Sequence, residues 1–221
     1  SRREPAPVEE AALGAPVPRR RSTTWPQMSP LSFAGSARPG ALAGEAALPY
    51  PARMHYLIVR QMKKTLGQLD KWLETAATHA QAKSFDPKVY LQLRLAPDQR
   101  PFSFQIQTAC DTAKLAAARL TGKQAPSHPD NEQTLDELRA RVKNVIAHLE
   151  TYTEQDFEGA ATRVISQPRW DGKVMSGTDY VLEYALPNFY FHASHTYAIL
   201  RHNGVDLGKR DFLGALTLRT P

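Results

Sequence analysis

Apolar residues recur at helical spacing in three long stretches that begin after residue 54. Val59, Met62, Leu66, Leu69, Leu73, Ala76 and Ala80 are separated alternately by three and four positions, which predicts one long amphipathic helix with a bundle-type stripe. It should end before Phe85-Asp86-Pro87, because proline disfavours helical geometry at the residue before it. A short apolar stretch from Val89 to Leu95 follows. Ile106, Ala109, Ala113, Ala116 and Leu120 repeat the spacing. They predict a second helix that opens near Pro101 and stops at Gly122. Leu135, Leu138, Val142, Val145 and Leu149 predict a third. Thr134 and Glu137 form its capping box, and it closes around Thr151-Tyr152.

The pattern then changes. Arg163-Val164-Ile165 is β-prone, and Lys173-Val174-Met175 is the expected return strand, with Asp171-Gly172 as the turn dipeptide. Pro168 must sit at the edge of this hairpin or in its loop. Ser176-Gly177-Thr178-Asp179 supplies N-caps for a fourth helical region. Pro187 either kinks that region or opens a second segment. The helix runs through Phe189, Ala193, Thr196 and Leu200 to Asn203-Gly204. Residues 207–221 should pack through Phe212 and Leu213. Four such helices predict an all-α four-helix bundle with a short β-hairpin before the last helix.

Residues 1–53 follow no period. Nine of the 17 prolines lie there, among Ala, Gly, Ser and Arg. Such a segment buries too little apolar surface to offset its ordering entropy. The expected organisation is therefore a disordered extension over 1–53 and a bundle over 54–221. The net charge is +6 and the pI about 9.5. Seven Arg and four Glu in residues 1–53 give that segment +3, leaving +3 on a nearly balanced body. The short tail thus carries as much net charge as the whole of the longer body, and no helix carries clustered base-reading residues, so nucleic-acid binding ranks last. No apolar run reaches the roughly 18 residues of a membrane helix. No signal-peptide core is visible. The single cysteine, Cys110, excludes an internal disulfide and a Cys-based zinc cluster, and fits a reducing, cytoplasmic setting.

No reaction is readable from the sequence. Phosphate-binding glycine loops, HExxH and GxSxG are all absent. The densest chemistry lies in Asn188-Phe189-Tyr190-Phe191-His192-Ala193-Ser194-His195. His192 and His195, three apart on a helix, are neighbours and can reach one metal; otherwise His192 is a hydrogen-bonded core residue and His195 a surface one. A third ligand must come from another helix, and Asp111 is the candidate, since it lies on an apolar stripe with Phe104, Leu115 and Ala118. A carboxylate there needs a partner: a metal, His192, or an arginine such as Arg94 or Arg201. His79 and His148 lie near helix C-termini, where a cationic ring suits the dipole. Cys110 falls on the main apolar stripe as a small hydrophobe.

Three stretches carry a family resemblance: Leu93-Arg94-Leu95-Ala96-Pro97-Asp98, Ala185-Leu186-Pro187-Asn188-Phe189-Tyr190-Phe191-His192, and the run from Tyr197 through Val205 to Gly214. Over about residues 54–214 the chain resembles the DUF1993 family, a bacterial family of unknown function. That family is related to the DinB/YfiT-like four-helix bundles, many regarded as metalloenzymes. The resemblance implies a bundle with a hairpin before its last helix. It also implies a divalent-metal site built from a His early in the second helix and an HxxxH pair on the last. Here the triad is incomplete: the second helix reads Thr108-Ala109-Cys110-Asp111, and Thr196 stands four residues after His192. Gln92 and Arg100 also depart from the family pattern. Two functions follow as expectations. One is a DinB-like bundle with a small-molecule or degenerate metal pocket near Asp111 and His192. The other is a non-catalytic interaction or stress-related module, as a homodimer.

Overall fold

The computed structural model describes residues 50–220. The expectation of disorder therefore lies outside the described residues as far as Pro49. The first helix, α1 (Tyr50–Ala82), begins four residues ahead of the apolar pattern, as Pro51 is tolerated in a first turn. Its stripe from Val59 to Ala80 is buried throughout, and so is Trp72, beside Leu73. A 3-10 turn, Pro87–Gln92, caps on Asp86 and leads to α2 (Phe102–Thr121), which Gly122 ends at φ 76°. α3 (Leu135–Glu150) opens on the expected box: Thr134 Oγ1 accepts from Glu137 N–H, and the Glu137 carboxylate accepts from Thr134 N–H.

The hairpin forms one residue later than expected. β1 (Val164–Ser166) pairs antiparallel with β2 (Val174–Ser176), with Ile165 opposite Met175. Asp171 and Gly172 are both left-handed, at φ 50° and 78°, as a tight-turn dipeptide requires. They do not close a two-residue turn, because a 3-10 turn over Pro168–Trp170 intervenes. Pro168 thus lies in the loop.

The fourth helical region has three parts. Ser176 Oγ accepts from Asp179 N–H to cap a single turn, α4 (Gly177–Asp179). A π-helical turn, Tyr180–Ala185, follows, and then α5 (Leu186–His202) with Pro187 in its first turn. Pro187 cannot donate into the preceding turn, and the wider π register absorbs that missing bond. Gly177 is fixed by close approach: a Cβ there would lie 1.8 Å from the Ala160 carbonyl oxygen. Gly204 ends α5 at φ 86°. A last short helix, α6 (Lys209–Leu213), lays Phe212 on Trp72, whereas Leu213 remains 42% exposed, against expectation. A helix this short turns only one face inward.

α2 is central, packing on α1, α3 and α5, while α1 also packs on α3 and α5. No helix among the described residues is long and apolar enough to cross a membrane.

Candidate functional site

The structure places the sequence candidates in two separate settings. His192 is buried, 8% exposed, with Phe104 and Phe191 edge-on to its ring. Its Nδ1 lies 2.8 Å from Gln105 Oε1. The Gln105 Nε2–H donates to Arg100 O at 2.8 Å. That bond fixes the amide orientation, so Nδ1 of His192 carries the proton. Thr196 Oγ1 donates to His192 O. His195 packs on Phe191 at 4.0 Å between centroids, with Nδ1 2.6 Å from Phe191 O.

Asp111 belongs to another network. Its Oδ1 is 2.8 Å from both Arg141 Nη2 and Lys114 Nζ. Arg141, 3% exposed, also holds Glu132 and Asp130 at 2.9 Å and the Pro129 carbonyl at 3.2 Å. Lys114 donates to His128 Nδ1 at 2.8 Å. Neither arginine proposed from sequence is the partner: Arg94 bonds Gln99 O, and Arg201 is exposed beside Asp206. Gln105 stands six positions before Asp111, about 9 Å along the helix at 1.5 Å per residue. His192 and Asp111 are therefore engaged at different levels of α2. A divalent ion of the kind the resemblance implies does not fit these donors. An amide, Gln105, meets His192 from early in α2, and Thr196 stands one turn on. Among the described residues no group of three His, Cys, Asp or Glu is arranged to hold a metal.

Burial pushes His192 down to about 4 from 6.5, with His195 adding a smaller effect. The sign follows: protons bind the unfolded chain first. The contribution is complete above pH 6.5 and is lost as pH falls towards 4. At 1.36 kcal/mol per unit it amounts to about 3 kcal/mol. Urea midpoints measured between pH 7 and 4.5 should fall more steeply for the native chain than for His192→Gln. Parallel slopes would show that His192 stays hydrated. Burial pushes the Cys110 thiol up to about 12, against a smaller lowering by the Arg141 charge, which removes it as a nucleophile. His79 and His148 bond Tyr90 and Tyr152 hydroxyls.

A cleft of about 290 Å³ opens on the other side of Asp111, between α2, the π turn and the hairpin loop. Thr108, Asp111, Leu115 and Arg119 line it from α2, Gln167 and Arg169 from the loop, and Tyr180, Tyr184 and Asn188 from the last helical region. Tyr180 and Tyr184 stack at 5.7 Å, with Trp170 edge-on to both. Arg119 donates to the Tyr180 hydroxyl at 3.1 Å, and Arg169 lies 4.9 Å over the Tyr184 ring. Asn188 Nδ2–H donates to Thr112 Oγ1 at 2.7 Å. Gln167 is 7% exposed, and its buried Nε2 has no hydrogen-bond partner among the described residues.

Sequence reasoning expected a pocket near Asp111, which lines this cleft, but coupled it to His192 and missed the other lining residues and both partner sets. Arg141 and Gln105 each occupy an apolar-stripe position, three after Leu138 and four before Ala109 respectively. That placement was a readable sign of a buried polar contact. Nothing local marks Gln167, whose setting depends on the hairpin folding against α2.

The family model of a domain of unknown function, DUF1993, matches residues 54–213. No curated protein matches significantly. Among solved structures, a DinB family member protein from Shewanella denitrificans is 47% identical with a TM-score of 0.75, covering 78% of this chain and 98% of that one.

Proposed function

The chain belongs to the DUF1993 family, within DinB-like bundles, and on that footing we propose that it binds a small molecule in the cleft beside Asp111. The observation that carries this is Gln167. A buried amide donor without a partner costs about 1–3 kcal/mol, and such a group beside a cleft is offset when a ligand supplies the acceptor. The π turn adds support, since such turns often re-aim side chains at functional sites. A metal-dependent reaction has no support from the donor set around His192, and no activity is assigned. A cytoplasmic location accords with the lone buried Cys110.

A second reading, the homodimeric interaction module, is favoured by one feature: Met54, Leu57 and Ile58 line an apolar groove on α1, with Leu57 47% exposed.

Titrating the 15N-labelled chain with a mixed set of neutral, anionic and cationic fragments separates the two. Amide shifts should concentrate at residues 108–119, 167–169 and 180–188. Shifts confined to residues 53–61 would overturn the cleft reading.

A further inference from the structure

We infer that the cleft takes a small organic carboxylate with a flat apolar body, an inference that rests on the cleft being the binding site. Arg119 and Arg169 flank it from opposite walls, and neither has a carboxylate within salt-bridge distance among the described residues. Each guanidinium lies over a ring of the stacked Tyr180–Tyr184 pair, at 5.8 and 4.9 Å, which holds it before any ligand arrives. A guanidinium presents five N–H donors. Arg119 uses one on Tyr180, and the remaining fork suits a carboxylate.

The acid on the wall does not oppose this. Asp111 Oδ1 is paired with Lys114 and Arg141, both at 2.8 Å, and Arg141 is shared with Asp130 and Glu132, so the charge left to meet an anion is that of Arg119 and Arg169. The Gln167 amide turns on a soft terminal torsion, and rotation offers its N–H to the same acceptor. Phosphate is a poorer match. Residues 108–119 are the interior of α2, so their backbone N–H groups are engaged in helical bonds and offer none of the donors of a helix N-terminus. The apolar body is set by Tyr184 and Leu115, with the fully buried Tyr180 stacked behind the Tyr184 ring. The volume stands at the small end of ligand clefts.

The full chain is titrated with benzoate, benzamide, benzylamine and inorganic phosphate, followed by calorimetry and by the side-chain N–H signals of Arg119, Arg169 and Gln167. Benzoate should saturate and move all three. Benzamide, of the same shape but uncharged, should bind at least tenfold more weakly. The exposed Arg169→Gln change should weaken benzoate at least tenfold while leaving the thermal midpoint in place, and Gln167→Leu should weaken it as well. Benzamide or benzylamine binding in the cleft as tightly as benzoate would overturn the carboxylate and leave the cleft standing. Phosphate binding more tightly than benzoate would overturn it in favour of a phosphoryl ligand. If no probe moves any cleft signal, the cleft reading falls too.

Discussion

Arg141→Met should lower stability by about 3–5 kcal/mol, as expected when one partner is removed from a buried charge network. Three carboxylates meet this guanidinium at 2.8–2.9 Å: the enclosed Glu132, which carries most of the penalty, and the more open Asp111 and Asp130. Two of them, with the Pro129 carbonyl, lie in the loop between α2 and α3. The side chain therefore pins that loop across both helices. Burial alone would raise the Glu132 carboxyl, but hydrogen bonds from Gln107 and Arg141 outweigh it and hold the group below its usual value. A carboxyl depressed by folding contributes stability above its unfolded value and loses it as pH falls through its folded one. The native chain should thus lose stability in acid that the variant has already lost. At roughly 2–4 °C per kcal/mol for a domain of this size, the thermal midpoint should drop by about 6–20 °C. A drop under 2 °C would mean that the network is hydrated. Arg141→Lys should recover only part, since an ammonium cannot fork to several acceptors.

The bundle was legible because its information is local. Each helix carries its own stripe, and every stripe position from Val59 to Leu149 that the spacing singled out is buried. Caps were equally local: Thr134 with Glu137, Gly122 and Gly204 need only neighbours in sequence. The hairpin was half legible. Its strands followed from β-propensity, but the 3-10 turn at Pro168–Trp170 answers to Trp170 packing on Tyr180 and Tyr184, which no short window contains.

The candidate site was less legible for the same reason. His192 stood out by composition and is a core residue held by Gln105. Asp111 was rightly suspected of needing a partner, yet the nearest one, Lys114, was only three residues away on the same helix. A polar residue on an apolar stripe signals a contact without saying with what. Choosing between metal, imidazole and guanidinium requires the azimuth of α3 around α2, and that is set by packing.

Packing also governs the C-terminal segment, and its anchor is Trp72. The indole is 1% exposed and stacks on Phe212 at 5.4 Å, with Tyr197 edge-on at 5.6 Å. Its Nε1–H donates to Asp211 O at 3.1 Å. The Asp211 side chain in turn accepts from Gly208 N–H and caps α6. A five-residue helix is too short to persist alone, so α6 depends on docking to Trp72, aided by Tyr197 edge-on to Phe212 at 5.6 Å. Trp72→Ala should therefore cost about 3–5 kcal/mol, the range for large aromatic truncations. It should also release residues 208–214 to rapid amide exchange while α1 to α3 stay protected. Trp72→Phe keeps the ring contact and loses the Asp211 bond, so it should fall between. Adding Phe212→Ala to Trp72→Ala should cost much less than the sum, because the two remove one shared contact. A Trp72→Ala loss under about 0.5 kcal/mol, the size of a surface change, would show that α6 docks by other means.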